Sequence, residues 1–516
     1  MKLFPGRKRV LLVNPETPTS YWGFQGSVRF VGARAAHTPL SLLTLAALLP
    51  RDWGVKLVDL NIQRLKDRDI AWADVVLLTG MIVQKDSLDL ICRRCAAHDV
   101  PTVVGGPFAS SSPDAPELQY ATSVVVGEAE CPGLMAALIE DIVEGQLQRR
   151  YWATEPKPEM QESPVPRFDL LKRRAYCCLD IQVSRGCPHR CEFCNVRMLF
   201  GKRPRYKDPE QVVAELQAIY DTGYRGNIFV VDDNFIGHPQ RALEVLEAMA
   251  DWQRRHRNPF LFYTEADVRL ASLDSVVRQM VRAGFYGVFI GFESPSAEAL
   301  REAAKTHNLR HSPIEAVRKL RRRGLLVYGG FIVGFDADDA TIFERTKDFV
   351  GECKIDFAMA GMLTALPGTP LEQRLRKEGR LLFATDGDQF GLSNILPKRM
   401  SRLELVRGYR KLLQYLYAPK NYFARASAGL KEWHQGARRR VAAREFLAVP
   451  RSILRQGIFS RYRLQYWKFL LRALFSGPRK LPRAFAQAIS GHHFFRYTSQ
   501  VVIPRLLREE RRLGAG

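Results

Sequence analysis

Between residues 9 and 130 the apolar positions fall in short unbroken runs, separated by mixed segments with helical spacing. Runs at 10–13, 55–59, 74–80, 101–107 and 123–128 predict five strands, and 39–49 and 87–97 predict helices between them. Strands this apolar, alternating with helices, predict a doubly wound parallel sheet covered on both faces. Ligands of such sheets sit beyond the carboxyl ends of the strands. Those ends carry Asn14, Gly80, Gly105, Gly106, Pro107, Gly127 and Glu128. Glycine there lets a ligand approach the backbone. Alone, the pattern fits tight turns as well as a nucleotide-like or corrinoid pocket.

A polar, proline-containing stretch over 146–172 predicts a linker after this first domain (1–145). A second strand–helix series follows, with strands expected at 179–184, 227–232, 260–266, 286–293, 325–334 and 356–365. Asp208 followed by Pro209 is a helix start, an N-cap with proline at the first helical position. Six such repeats predict a partial (β/α)6 barrel over 173–385, with its chemistry at the strand C-termini. Residues 386–516 read as a helical region.

The chain has 516 residues, too many for one ordinary core. Its net charge is +24, and residues 431–516 alone hold 19 Lys and Arg against four Glu. That excess calls for an anionic partner or surface. No run of apolar residues is long enough to predict a transmembrane helix. The first residues lack the apolar core of a signal peptide, so a cytoplasmic location is expected.

Nine cysteines in such a chain argue against a disulfide framework. Three of them, Cys187, Cys191 and Cys194, form C-x3-C-x2-C directly after the first strand of the second series. Three thiolates in a tight loop suit an iron–sulfur cluster with one iron left open. The alternative is zinc, which wants a fourth ligand, and His189, Cys177 or Cys178 are the candidates. Cys92, Cys95, Cys131 and Cys353 are scattered and read as core.

Cys187, Cys191, Phe193 and Cys194 resemble the C-x3-C-x-aromatic-C signature of the radical S-adenosylmethionine (SAM) superfamily. The resemblance implies a [4Fe-4S] cluster on the three cysteines, SAM chelated to the open iron, and Phe193 near the adenine. It also implies SAM contacts at later strand ends: Asp232, Asp233 and Asn234, Glu265 and Arg269, Gly291 and Glu293, and Gly330, Ile332 and Gly334. The N-terminal sheet resembles the cobalamin-binding domain of the cobalamin-dependent class, although D-x-H-x-x-G, the motif that supplies a cobalt-ligating histidine in some other enzymes, is absent. Strings such as Val231-Asp232-Asp233-Asn234 and Leu366-Pro367-Gly368-Thr369-Pro370 are similar to those of the hopanoid C-2 methylase-like subgroup.

This resemblance implies a methyltransferase acting on an unactivated carbon of a hydrophobic or lipid-like small molecule, with an external one-electron reductant. The rivals are radical cyclisation or oxidation without methyl transfer, and a cobalamin-binding or redox-sensing protein without catalysis. Methylthiolation is disfavoured, since Cys92, Cys95 and Cys131 do not fall at the strand ends its extra cysteine triad would need. In the basic C-terminus, Arg461, Lys468 and Arg472 fall on one side of a helix and Tyr462, Tyr466, Phe469, Leu470 and Leu474 largely on another. That helix suits peripheral contact of residues 431–516 with an anionic membrane, or packing on the barrel. No motif supports nucleic-acid binding.

Overall fold

The computed structural model describes residues 7–153, 155–388, 390–434, 436–439 and 443–515. The five apolar runs form β1 (Arg9–Asn14), β2 (Gly54–Asp59), β3 (Val75–Thr79), β4 (Thr102–Gly105) and β5 (Ser123–Gly127). The stretch read as linker contributes a sixth strand, β6 (Arg150–Ala153), parallel to β5. It lacks a continuous apolar run because it is an edge strand: Tyr151 is buried, while Trp152 is 61% exposed. The order is β2-β1-β3-β4-β5-β6, every pair parallel. Helices Leu40–Leu48 and Leu134–Glu144 cover one face with Leu42, Ala46, Leu138 and Ile142. Helices Lys85–Ala96 and Gly106–Ser111 cover the other with Leu88, Ile91, Cys95 and Phe108.

The second sheet begins with β7 (Cys178–Ile181). A small antiparallel ribbon follows, β8 (Ser184–Arg185) and β9 (Arg205–Tyr206). The sheet then continues with β10 (Asn227–Val230), β11 (Leu261–Ala266), β12 (Phe285–Glu293), β13 (Leu326–Val333) and β14 (Ala358–Met362). Its order is β7-β10-β11-β12-β13-β14, all parallel, as a partial six-stranded barrel requires. The expected helix start holds: Gln211 accepts from the Asp208 N–H at 2.9 Å in a capping box.

An open barrel leaves two edges, and each is covered. At β7, the Cys178 N–H donates to the Ala36 carbonyl at 2.9 Å and the Arg34 N–H to the Ala175 carbonyl at 2.7 Å. At β14, the Tyr409 hydroxyl donates to the Ala360 carbonyl at 2.9 Å, and Tyr417 donates to that of Ala358. Both tyrosines belong to the C-terminal helical region, where Arg402–Leu416, Pro419–Glu432, Arg463–Phe475, Leu481–Tyr497 and Ile503–Gly514 pack together. None of the described helices is long and apolar enough to cross a membrane.

The two ends of the chain clasp one another. Tyr21 is fully buried, its hydroxyl 2.6 Å from Thr498 Oγ1 and its ring stacked on Tyr417. The Gly26 N–H donates to His493 Nδ1 at 3.3 Å, and Ser27 Oγ to the Ile489 carbonyl at 2.9 Å.

Candidate active site

The carboxyl ends of the two sheets face each other across a cavity of ≈ 1220 Å³. Gly80, Gly105, Gly106 and Pro107 line it from the first sheet. Asp233, Glu265, Glu293, Gly330 and Ile332 line it from the second, with Phe193 between. Its inner part is apolar and aromatic, walled by Phe229, Phe289, Phe331, Met359 and Met362.

The cysteine loop leaves β8 through Gly186, whose φ is +92°. A Cβ there would stand 2.6 Å from the Arg203 carbonyl oxygen, so this turn admits only glycine. The loop is pinned on both sides: the Glu192 N–H donates to the Ala303 carbonyl at 3.0 Å, and Arg374 Nε to the Glu192 carboxylate at 2.6 Å. All three thiols are free and partly buried. Burial raises Cys187 and pushes Cys191 up to about 11 and Cys194 up to about 12. Thiols raised in this way stay protonated at neutral pH, and a bound iron ion would favour their thiolates.

The fourth-ligand candidates for zinc are engaged elsewhere. His189 Nε2 lies 2.8 Å from Asp267 Oδ2, and its ring stacks on His307 at 3.6 Å. The Cys178 thiol meets the Asn227 carbonyl. Among the described residues no three His, Cys, Asp or Glu side chains converge on a single ion. A cube instead takes one thiolate per iron, so its three ligands need not converge.

The carboxyls facing the cavity outnumber the cations. Glu293 pairs with buried Lys305 at 2.5 Å. Gly291 makes room for that pair, since a Cβ there would meet Glu293 Oε1 at 2.3 Å. Asp233 Oδ2 is buried with no hydrogen-bond partner among the described residues. Burial, then the charge of Asp232, raises Asp233 to about 7. Burial, then Asp233 and Glu293, raises Glu265 to about 8. A cationic ligand would relieve this surplus, and SAM carries an ammonium and a sulfonium.

A testable result follows for pH. Folded-state values above the ordinary carboxylate range mean stability that is full at acid pH and lost as pH rises toward about 8. Protein carrying its cluster should therefore gain more from SAM at about pH 8 than at about pH 6, read as the shift in thermal midpoint. Asp233→Asn with Glu265→Gln should flatten that difference; an unchanged pH profile would detach these groups from SAM.

Of the other strand-end residues named from the sequence, Asn14, Gly127 and Glu128 also line the cavity, while Asp232, Asn234, Arg269 and Gly334 stand outside its lining. Asp232 accepts from the Val183 N–H at 2.8 Å and Ser184 Oγ at 2.6 Å. Asn234 donates to Asp267 at 2.9 Å, and Arg269 pairs with the same carboxylate at 2.6 Å. Gly334, with φ +96°, packs on Leu405 of the helical region. Asn14 donates its amide to Asp59 at 3.0 Å. Glu128 is bonded to Arg185 and Arg205, joining the first sheet to the cysteine ribbon.

Several cavity residues escaped sequence reasoning. His37 Nδ1 lies 3.0 Å from Asp180 Oδ1, and the other Asp180 oxygen accepts from the Thr38 N–H and hydroxyl. Trp22 stands against Phe289 at 4.8 Å between centroids. Both come from the segment between β1 and the helix Leu40–Leu48, outside its short helical turns, where no periodicity marks a side chain's direction. Lys305 follows the helix Ala297–Glu302, and only its position shortly after Glu293 could have flagged it.

Comparison with known proteins bears on this site. The model of the radical SAM superfamily matches residues 181–350, and a domain of unknown function, DUF4070, matches residues 369–504. An uncharacterized methyltransferase of Synechocystis sp. is 34% identical over 497 residues, 95% of this chain and 92% of its own length. Hopanoid C-2 methylase of Rhodopseudomonas palustris is 33% identical over 504 residues, 96% of this chain and 94% of its own. Among solved structures, the cobalamin-dependent SAM radical enzyme OxsB, with aqua-cobalamin and SAM bound, has a TM-score of 0.61 at 17% identity, covering 99% of this chain and 81% of that one. TsrM of Kitasatospora setae, a radical SAM methyltransferase with cobalamin and a [4Fe-4S] cluster bound, has a TM-score of 0.59 at 16% identity, covering 88% and 99%. At these identities the structures share the fold.

Proposed function

This chain belongs to the radical SAM methyltransferases that include hopanoid C-2 methylase, and from that membership we propose that it methylates an unactivated carbon of a hydrophobic, lipid-like substrate. The observation that carries the reading is the single cavity shared by the cysteine loop, the glycine-lined end of the first sheet and an aromatic interior.

Cys187, Cys191 and Cys194 would hold the cluster, and the glycines at Gly80, Gly105 and Gly106 leave a shallow wall fit for a flat corrinoid. When bound, the cluster with SAM supplies hydrogen-atom abstraction and the corrinoid supplies the methyl group. The chain's own residues bind and orient. Asp233, Glu265 and Glu293, which line the cavity with Phe193, Gly330 and Ile332, would hold the cationic end of SAM. Phe229, Phe289, Met359 and Met362 hold an apolar substrate and exclude water from a reactive carbon radical. The partners that go with this reading are an external one-electron reductant and a peripheral contact of residues 431–516 with a membrane.

Anaerobic expression should yield a lipid heavier by one CH2 group, formed together with 5′-deoxyadenosine. Deoxyadenosine with a dehydrogenated or cyclised product would replace methylation by the rival radical reaction, and neither product would refute catalysis of this class. Gly105 offers a clean test of the corrinoid wall. A Cβ there meets Val125 at an ordinary 3.6 Å, whereas one at Gly106 would strike Thr79 Oγ1 at 2.2 Å. Gly105→Leu should weaken cobalamin binding about tenfold by overfilling the wall, with iron content unchanged. Unaltered binding would move the corrinoid elsewhere.

A further inference from the structure

The helix Arg463–Phe475 is apolar on two sides. Tyr466, Phe469, Leu470 and Ala473 are buried in the core, so most of the face that the sequence pattern offered to a membrane is taken. The opposite side carries Leu464, Trp467, Leu471, Leu474 and Phe475, with Leu464 67% and Phe475 85% exposed. On a helical wheel Arg463 borders this outer stripe on one flank, and Lys468 and Arg472 border it on the other. Just before it, Leu454, Ile458 and Phe459 are also exposed. The two segments meet where Trp467 Nε1 donates to the Gly457 carbonyl at 3.0 Å. An exposed apolar patch of this extent marks an interaction surface.

Its charge selects the partner. From Phe446 to Arg508 the chain has 12 Lys and Arg and no Asp or Glu. A second copy seated on the same surface would bring like charges together. A phosphate backbone would leave the apolar stripe without a role. An anionic bilayer satisfies both, taking the stripe below its headgroups and the flanking cations among them.

We infer that this outer stripe docks on an anionic bilayer and that docking sets the cavity beside the membrane; the second half rests on the lipid-like substrate proposed above. The elements beneath the patch hold the cavity wall. Arg451 Nη1 donates to the Phe30 carbonyl at 2.8 Å, and Arg455 stands over the Phe30 ring. His493 Nε2 lies 2.9 Å from the Ser20 carbonyl. Ser20, Trp22, Gln25 and Arg29 of that clasped segment line the cavity.

Deleting residues 431–516 would strip core residues such as Tyr466 and Phe494, so the test uses surface substitutions in the full chain. Sedimentation with phosphatidylglycerol vesicles, against pure phosphatidylcholine vesicles, should show salt-sensitive binding to the first. Leu471→Glu with Phe475→Glu should weaken it about 100-fold by removing two inserted apolar side chains. Lys468→Glu with Arg472→Glu should weaken it at least about tenfold at low salt. Thermal midpoints should hold, since all four side chains are exposed. Equal binding by wild type and variants, or none by wild type, would overturn the proposal. So would a wild-type dimer that Leu471→Glu with Phe475→Glu dissolves without any vesicle binding. Turnover in detergent micelles separates the two readings. A docking failure alone leaves micellar methylation intact, and a failure of the lipid reading leaves vesicle binding intact without product.

Discussion

Replacing Cys187, Cys191 or Cys194 by Ala is expected to abolish SAM cleavage and to take iron from about four per chain to near zero. Each thiol would hold a different iron, so losing one opens a corner that no neighbour can close. His189 is held by Asp267 and His307, and Cys177 and Cys178 stand at the far end of β7. The fold should survive the change, because the loop is anchored by the β8–β9 pairing and by Arg374 on Glu192 rather than by its thiols. Cys353→Ala is the control: that thiol is buried behind the barrel, so the variant should lose some stability and keep its iron. Iron and sulfide analysis, with 5′-deoxyadenosine as the turnover readout, decides the matter. Full iron in any one of the three loop variants would refute the ligand assignment.

Arg185→Met is expected to give the largest loss of stability of any substitution near the site, about 3–5 kcal/mol. The Arg185 side chain is 12% exposed and bonds Glu128 at 2.9 Å and Glu130 at 2.8 Å, which are 3% and 4% exposed. Its removal leaves Arg205, which reaches Glu128 at 2.8 Å, as the one cation paired with these two buried carboxylates among the described residues. Burial alone would raise the Glu130 carboxyl, but the Arg185 charge outweighs it and holds the group at about 2. A depressed folded value means stability present at neutral pH and lost as pH falls toward about 2. Wild type should therefore lose stability in acid more steeply than Arg185→Met. Adding Glu130→Gln to Arg185→Met should restore part of the thermal midpoint, since no lone charge then remains at that position. A single variant as stable as wild type would make the network decorative.

The strands of the first sheet were readable because burial on two faces leaves unbroken apolar runs, and β6 was not, because an edge strand with Trp152 outside has none. In the second sheet, where β11 alternates buried and half-buried positions and includes Thr264 and Glu265, the repeat of strand and helix marked the strands. Spacing located the cysteine loop, and strand ends located the cavity. Strand ends did not say which side chains enter it. Asp233 and Glu265 face the space, while Asp232 and Asn234, on either side of Asp233, are bonded behind the wall. Asp232, Asp233 and Asn234 lie in the turn beyond β10, where no strand alternation fixes a side chain's direction. The C-terminal helix shows the same limit in another form. A period of 3.6 marks two apolar stripes around Arg463–Phe475, and only packing tells which one meets the neighbouring helices.

The clasp between residues 20–31 and 481–498 bears on the order in which the protein is made. Tyr21 has its partner at Thr498, so a wall piece synthesised early waits for a residue made 477 positions later. Domains that emerge earlier can fold as units during synthesis. The first sheet and the barrel can thus form while the cavity is still open along one side, with the cysteine loop and the glycine wall reachable from solution.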